Sequence, residues 1–280
     1  MYRHLMALVT GLALAAAGAP AAAQDAPPAT VAHRGASAYA PENTVAATRL
    51  ATEQGATMVE LDVRRTADDR LVVIRDDTLE RTTDAAARFP DRAPWRVAEF
   101  TLAEIRTLDA GSWFAPAYAG EPVPELGEVL RTLGDGPAGL LLEVKLTDAK
   151  DGVAELVSRE LRAVPGWTET APDRRRLMVQ SLDWEFLREF RALEPDIPLG
   201  GLSQRRPTAN ELDALAEHSG MVHISADDVD ADYLALARAR GLEVFAYVVN
   251  DTRNMRRLIE AGVGGIMTDV PDVLECVIRA

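Results

Sequence analysis

The stretch Ala56-Thr57-Met58-Val59-Glu60-Leu61-Asp62-Val63 decides how the rest of the chain is read. It is apolar and β-branched, yet it carries two carboxylates two residues apart. In a strand, side chains alternate between faces, so Glu60 and Asp62 point one way and Val59, Leu61 and Val63 the other. Two like charges on one buried face are costly unless a cation or hydrogen-bond donors compensate them. A lone E-x-D of this kind is ordinarily a solvated strand face. Here a second run repeats the anomaly. Leu140-Leu141-Leu142-Glu143-Val144-Lys145 is apolar and ends with Glu143 and Lys145 on one face. Three carboxylates and one ammonium at the ends of buried strands point to a metal and anion site.

Working outward, Thr30-Val31-Ala32-His33 reads as a strand stopped by Gly35, followed by helical spacing over 42–54 and then the 58–63 strand. The next apolar run, Leu71-Val72-Val73-Ile74, follows too soon for a crossover helix. Segments 58–64 and 70–75 are therefore expected to form an antiparallel hairpin turning near Asp68-Asp69, with Arg75 across from Asp62. Residues 76–138 form a long excursion with helical pieces near 102–108 and 125–133 and a loop holding Gly111, Trp113, Phe114, Pro116 and Tyr118. Beyond it, strand-like runs at 139–145, 176–181, 197–202, 221–225, 243–249 and 264–268 alternate with helical patterns, the last at 271–278. Without the hairpin strand the staves number eight. That is the count of a (β/α)8 TIM barrel with a hairpin and long insertion after the second barrel strand. A doubly wound open sheet competes, but no G-x-G-x-x-G follows the first strand. No linker-like stretch interrupts the alternation, so residues 24–280 are expected to form one domain.

Residues 1–23 carry a positive start at Arg3, an apolar run and Ala21-Ala22-Ala23 before Gln24. This reads as a cleaved signal peptide and an exported, periplasmic or secreted protein. A membrane anchor is the alternative, but the run is short for a span, with Gly18 and Pro20 close behind it. No stable membrane insertion is therefore expected. Cys276 is the only cysteine, so neither an internal disulfide nor a cysteine zinc site can form. The net charge is −14, or −15 once Arg3 leaves, which argues against nucleic acid as a partner. A local basic pocket is still compatible with a phosphorylated small molecule. The sequence carries no signal for oligomeric state.

In a barrel of this type, functional groups gather at the C-terminal ends of the strands. His33, Glu60, Asp62, Glu143 and Lys145 all fall there. Three hard oxygen donors suit one divalent cation, Ca2+ or Mg2+. Arg34 and Lys145 supply anion binding, and the guanidinium fork matches phosphate. With a histidine that moves protons or attacks phosphorus, this set fits phosphodiester hydrolysis. His218 falls in a helix-end loop and His223 within a stave, where a core role is expected. Asp227, Asp228, Asp230 and Asp232 read as a solvated loop, with attraction of a cationic head group as the alternative.

At these residues the chain resembles a known family. His33-Arg34-Gly35, Pro41-Glu42-Asn43-Thr44, Glu60-Leu61-Asp62, Asp76 with Arg81-Thr82-Thr83, Leu108-Asp109-Ala110-Gly111-Ser112-Trp113-Phe114, Glu143-Val144-Lys145 and Thr268-Asp269-Val270-Pro271-Asp272 together look like a glycerophosphodiester phosphodiesterase, over about residues 30–275. The resemblance implies a TIM barrel, a Ca2+ or Mg2+ site, and hydrolysis of glycerophosphodiesters to glycerol 3-phosphate and an alcohol. By position, it implies that Glu60, Asp62 and Glu143 ligate metal, that Arg34 and Lys145 bind phosphate, and that His33 is catalytic. The family pattern has a second histidine where this chain has Arg75, ahead of Asp76. Arginine stays protonated and cannot cycle as an acid or base. Arg75 is then expected at the catalytic position as an electrostatic group. Tyr247-Val248-Val249-Asn250 stands where the family usually has Trp-Thr-x-Asn. Two other functions stay open: an exported phosphodiester- or lipid-binding protein on a weakened barrel, and a lysophospholipase D- or sphingomyelinase D-like enzyme acting on lysolipids.

Overall fold

A computed structural model describes residues 27–134, 136–146, 151–169 and 176–280. The leader assigned to 1–23 lies outside the described residues. Among the described residues nine strands run in chain order: β1 (Ala29–His33), β2 (Met58–Arg65), β3 (Leu71–Val73), β4 (Gly139–Val144), β5 (Leu177–Ser181), β6 (Leu199–Leu202), β7 (Met221–Ser225), β8 (Glu243–Tyr247) and β9 (Gly265–Thr268). All pairings except β2–β3 are parallel, and β1 pairs with both β2 and β9. The sheet therefore closes into an eight-stranded parallel TIM barrel, with β3 as an extra antiparallel strand beside β2.

The alternation within each stave builds two apolar layers. Outward-facing Leu61, Val63, Leu140, Leu142 and Val179 pack on the helices through Leu130, Val157, Leu161 and Phe190. A second cluster does the same for β7 to β9. Inward-facing Ala29, Val31, Met58, Leu141, Met178, Phe245 and Met267 fill the barrel interior. That plug leaves the polar inward positions to the C-terminal mouth.

The expected helices between staves are present at Val153–Arg162, Trp184–Leu193, Ala209–Ala216, Ala231–Arg238 and Thr252–Ala261, with a last one at Pro271–Ile278. The insertion folds onto its own cluster of Leu79, Phe100, Ile105 and Leu108, seeded by Val72 and Ile74 of the hairpin. Within it the helical pieces are Leu102–Ile105, held by a capping box of Thr101 and Glu104, and Leu126–Leu133.

The hairpin register corrects one expectation. Val63 pairs with Val73 and Arg64 with Val72, and the Ile74 amide donates to the Asp62 carbonyl at 3.0 Å. Ile74, rather than Arg75, therefore lies across from Asp62. The turn explains the slip. The Thr66 amide donates to the Arg70 carbonyl at 2.9 Å, and Asp69 takes a left-handed φ of 57°, so the turn centres on Asp68 alone. Arg75 lies one residue past Ile74, beyond the end of β3, and its side chain is 46% exposed and pairs with Asp76 at 2.9 Å.

Candidate active site at the barrel mouth

The site starts from the turn after β1. Arg34 and Gly35 both adopt left-handed φ, 56° and 83°. A Cβ at Gly35 would come within 2.7 Å of the Ala47 backbone, so only glycine fits there. The reversal brings the Arg34 amide onto Glu60 Oε2 at 2.9 Å, and its guanidinium between Glu42 (3.0 Å) and Asp62 (3.5 Å). Asn43, also left-handed, clamps Asp62 twice. Its Nδ2 donates to Oδ2 at 2.9 Å and its Oδ1 accepts from the Asp62 amide at 3.0 Å. Thr44 then caps the helix Val45–Glu53.

Glu60, Asp62 and Glu143 converge. Each offers an oxygen within 4.8 Å of the others, and all three are buried. Lys145 lies 3.1 Å from Asp62 Oδ1 and bonds Glu143 Oε1. Gln180 Nε2 donates to the other Glu143 oxygen at 3.2 Å. Burial pushes the Glu60 carboxyl well up, and the neighbouring charges of Asp62 and Glu143 add to this. Burial, then Asp62, also raises Glu143 against the pull of Lys145. Burial pushes Asp62 up too, but Lys145, Arg34 and the Asn43 hydrogen bond outweigh it and hold it low. Two cations thus face three carboxylates, and Glu60 is left well above its ordinary range. A hard divalent cation fits this all-oxygen donor set, so the structure supports the expected metal site.

His33 sits beside it on β1. Its Nδ1 lies 2.6 Å from Asp269 Oδ1 across the β1–β9 seam. Asp269 also accepts from Ser37 Oγ (3.0 Å) and Asn250 Nδ2 (2.6 Å), and Asn250 Oδ1 takes the Asp269 amide. Burial pushes this carboxyl up, but the His33 ring, Asn250 and Ser37 bring it down to about 2. An ionised carboxylate on Nδ1 fixes the tautomer that leaves the Nε2 lone pair for the site. Asp269 and Asn250 stood in quoted motifs without a role. Their role depends on barrel closure, which no local spacing encodes.

Arg75 is joined to the site through other side chains. It pairs with Asp76 at 2.9 Å, Asp76 with Arg81, Arg81 with Glu42 at 2.7 Å, and Glu42 with Arg34. Its carbonyl accepts from Arg64 Nε at 2.8 Å. Arg64 continues the face of Glu60 and Asp62, so period-two reading carried one residue further would have found it. The other singled-out groups lie elsewhere. His223 is fully buried and stacked on Phe245 at 4.8 Å, and burial pulls it down to about 3, a neutral core residue. Asp230 caps the helix Ala231–Arg238 and pairs with Arg206. His218 lies just beyond the helix Ala209–Ala216, as its loop reading expected.

Comparison with known proteins agrees with this geometry. The sequence model of the glycerophosphoryl diester phosphodiesterase family matches residues 33–273. A glycerophosphodiester phosphodiesterase of Caldanaerobacter subterraneus is 33% identical over 254 residues, covering 89% of this chain and 97% of that one. One of Bacillus subtilis is 33% identical over 258 residues, covering 87% and 84%. Among solved structures, an Oleispira antarctica phosphodiesterase in complex with the product sn-glycerol-3-phosphate superposes with a TM-score of 0.80 at 30% identity, covering 91% of this chain and 98% of that one.

Proposed function

Since this chain belongs to the glycerophosphoryl diester phosphodiesterase family, and so to the phosphoric diester hydrolases, we propose that it cleaves glycerophosphodiesters to glycerol 3-phosphate and an alcohol. One observation carries the reading. Three buried carboxylates, Arg34 and Lys145, and the His33–Asp269 pair meet at one barrel mouth. Glu60, Asp62 and Glu143 would hold one Ca2+ or Mg2+, which when bound supplies positive charge against the phosphate. Arg34 and Lys145 seat the diester oxygens. Water supplies the hydroxyl that joins phosphorus, and the alcohol leaves with a proton. We assign the exchange of that proton to His33 Nε2, because Nδ1 is engaged by Asp269 and general acid–base catalysis needs a free ring nitrogen.

Residues 1–23 support export, with action on substrates outside the cytoplasm. Among the described residues no helix is long and apolar enough to cross a membrane. The test is release of glycerol 3-phosphate from glycerophosphocholine by the mature protein. Turnover is expected with Ca2+ or Mg2+ and is expected to vanish in EDTA. No release with either metal, or release indifferent to EDTA, would sink the reading.

Arg75 has an electrostatic part in this scheme. Through Asp76, Arg81 and Glu42 it holds the cationic side of the mouth, and it cannot protonate a departing alkoxide. Alkyl alkoxides need that proton, whereas p-nitrophenolate needs little of it. Arg75→His is therefore expected to raise kcat on alkyl diesters by about 10-fold while changing aryl diesters little. The readout is the slope of log kcat against leaving-group pKa. Equal losses on both classes would make Arg75 a binding group instead.

A further inference from the structure

The exposed apolar side chains are unevenly placed. Among the described residues, the large hydrophobics that stand exposed are Tyr39, Trp113, Leu182, Leu193 and Val248. Tyr39 lies in the turn after β1, Leu182 follows β5, and Val248 follows β8. Trp113 packs edge-on against Phe114, which packs on Tyr118, whose hydroxyl donates to the Tyr39 carbonyl. Four of the five thus surround the mouth that holds the carboxylates. Only Leu193, at the end of its helix, lies away from it. Random surface leucines scatter, so a cluster on the working face asks for an apolar ligand.

A cleft opens beside Leu182. It has a volume of about 600 Å³ and lies beyond the C-terminal ends of β5 and β6. Leu182, Trp184, Leu202 and Pro207 form its apolar walls. The Trp184 indole N–H is satisfied by the Leu202 carbonyl at 3.0 Å, so the ring offers hydrocarbon rather than a free donor. The charges at its edge, Arg205 and Glu211, pair with each other at 2.9 Å and cancel. Leu182, at the lip of the cleft, directly follows the last residue of β5 and stands two residues beyond Gln180, whose amide donates to Glu143. Tyr247 of β8 ties the far wall by donating to the Ser203 carbonyl at 2.6 Å.

We infer that this cleft is a subsite for an aliphatic chain carried by the phosphodiester substrate. The inference rests on the diesterase reading above and deepens it. The phosphate would sit at Arg34 and Lys145, and the chain would run over Leu182 into the space before Trp184 and Leu202. A chain on the leaving alcohol and a chain on the glycerol present the same hydrocarbon, and two substrate series separate them.

The first series is glycerophospho-alkanols from ethyl to octyl. The second is glycerophosphocholine against its short-chain acyl derivatives, all below the concentration at which they form micelles. Each fully buried methylene is worth roughly fourfold, so an open cleft should raise kcat/KM by ~100-fold from shortest to longest in one series. Leu182→Asp should collapse that ratio to within about threefold of one, because a carboxylate at the lip must be desolvated. Leu182 is 45% exposed, so this variant keeps the fold. Leu193→Asp, on the opposite side, should keep the wild-type ratio. A flat profile in both wild-type series overturns the subsite, and so does a steep one that Leu182→Asp leaves intact. If no substrate turns over, the diesterase reading fails, and calorimetry with octyl and ethyl phosphonate decides on the cleft separately. Tighter octyl binding that Leu182→Asp erases supports it, and equal affinities reject it.

Discussion

His33→Ala is expected to lower kcat on glycerophosphocholine by roughly 10³-fold, the size of effect a lone proton-transfer group commands. The side chain is only 16% exposed, but it anchors little beyond Asp269, so folding should survive with Tm lowered by a few degrees. Asp269→Asn keeps the ring in place and removes the negative charge that sets its tautomer. With the wrong tautomer held, it should cost at least as much, up to about 10⁴-fold. A stability measurement separates the two functions of the pair. The folded Asp269 carboxyl sits near 2, against an ordinary value of 3.8. A depressed carboxylate contributes stability in full above its unfolded pKa and loses it as pH falls through the folded one. The gap in Tm between wild type and His33→Ala should therefore be widest above about pH 4 and narrow toward pH 2. Wild-type turnover by His33→Ala would remove this residue from the mechanism.

Glu60→Gln is expected to have the second large effect, with opposite signs in the presence and absence of metal. Burial and its two carboxylate neighbours raise the Glu60 pKa well above the ordinary range. A raised carboxyl favours folding below its unfolded pKa and is a growing cost as pH climbs toward the folded one. In metal-free protein the glutamine removes that cost. Tm at pH 8 should rise by a few degrees relative to wild type, and the difference should fade by about pH 4. With Ca2+ or Mg2+ present the order reverses, because a ligand is gone. Calorimetric affinity should drop by about 100-fold or more, since even residues behind a ligand are worth 10- to 100-fold. Unchanged affinity would take Glu60 out of the metal site.

The sequence made the barrel legible because strand-like runs alternate with helical patterns, most of which open on a side-chain cap such as Thr44, Asp183 or Asp251. The carboxylates were legible for a related reason: a charge in an apolar run is an anomaly that needs no partner to be noticed. Arg75 illustrates the opposite case. Its placement hung on whether a turn centres on Asp68 or between Asp68 and Asp69, and the left-handed Asp69 decided it. Asn43 was equally opaque, since its double clamp on Asp62 depends on a left-handed backbone within a motif that spacing alone does not resolve. The cleft beside Leu182 and Leu202 lay hidden because its walls come from two crossovers, each unremarkable alone.

The β1–β9 seam sets the order in which the protein comes alive during synthesis. By residue 145 a growing chain already holds the three buried carboxylates together with Arg34 and Lys145. It lacks Asp269, 236 residues after its partner, and with it the carboxylate that orients His33. A truncated or still-emerging polypeptide can therefore own most of the chemistry without being able to use it. Hydrolysis begins only when the last stave docks against the first, so the reaction itself reports that the ring is complete.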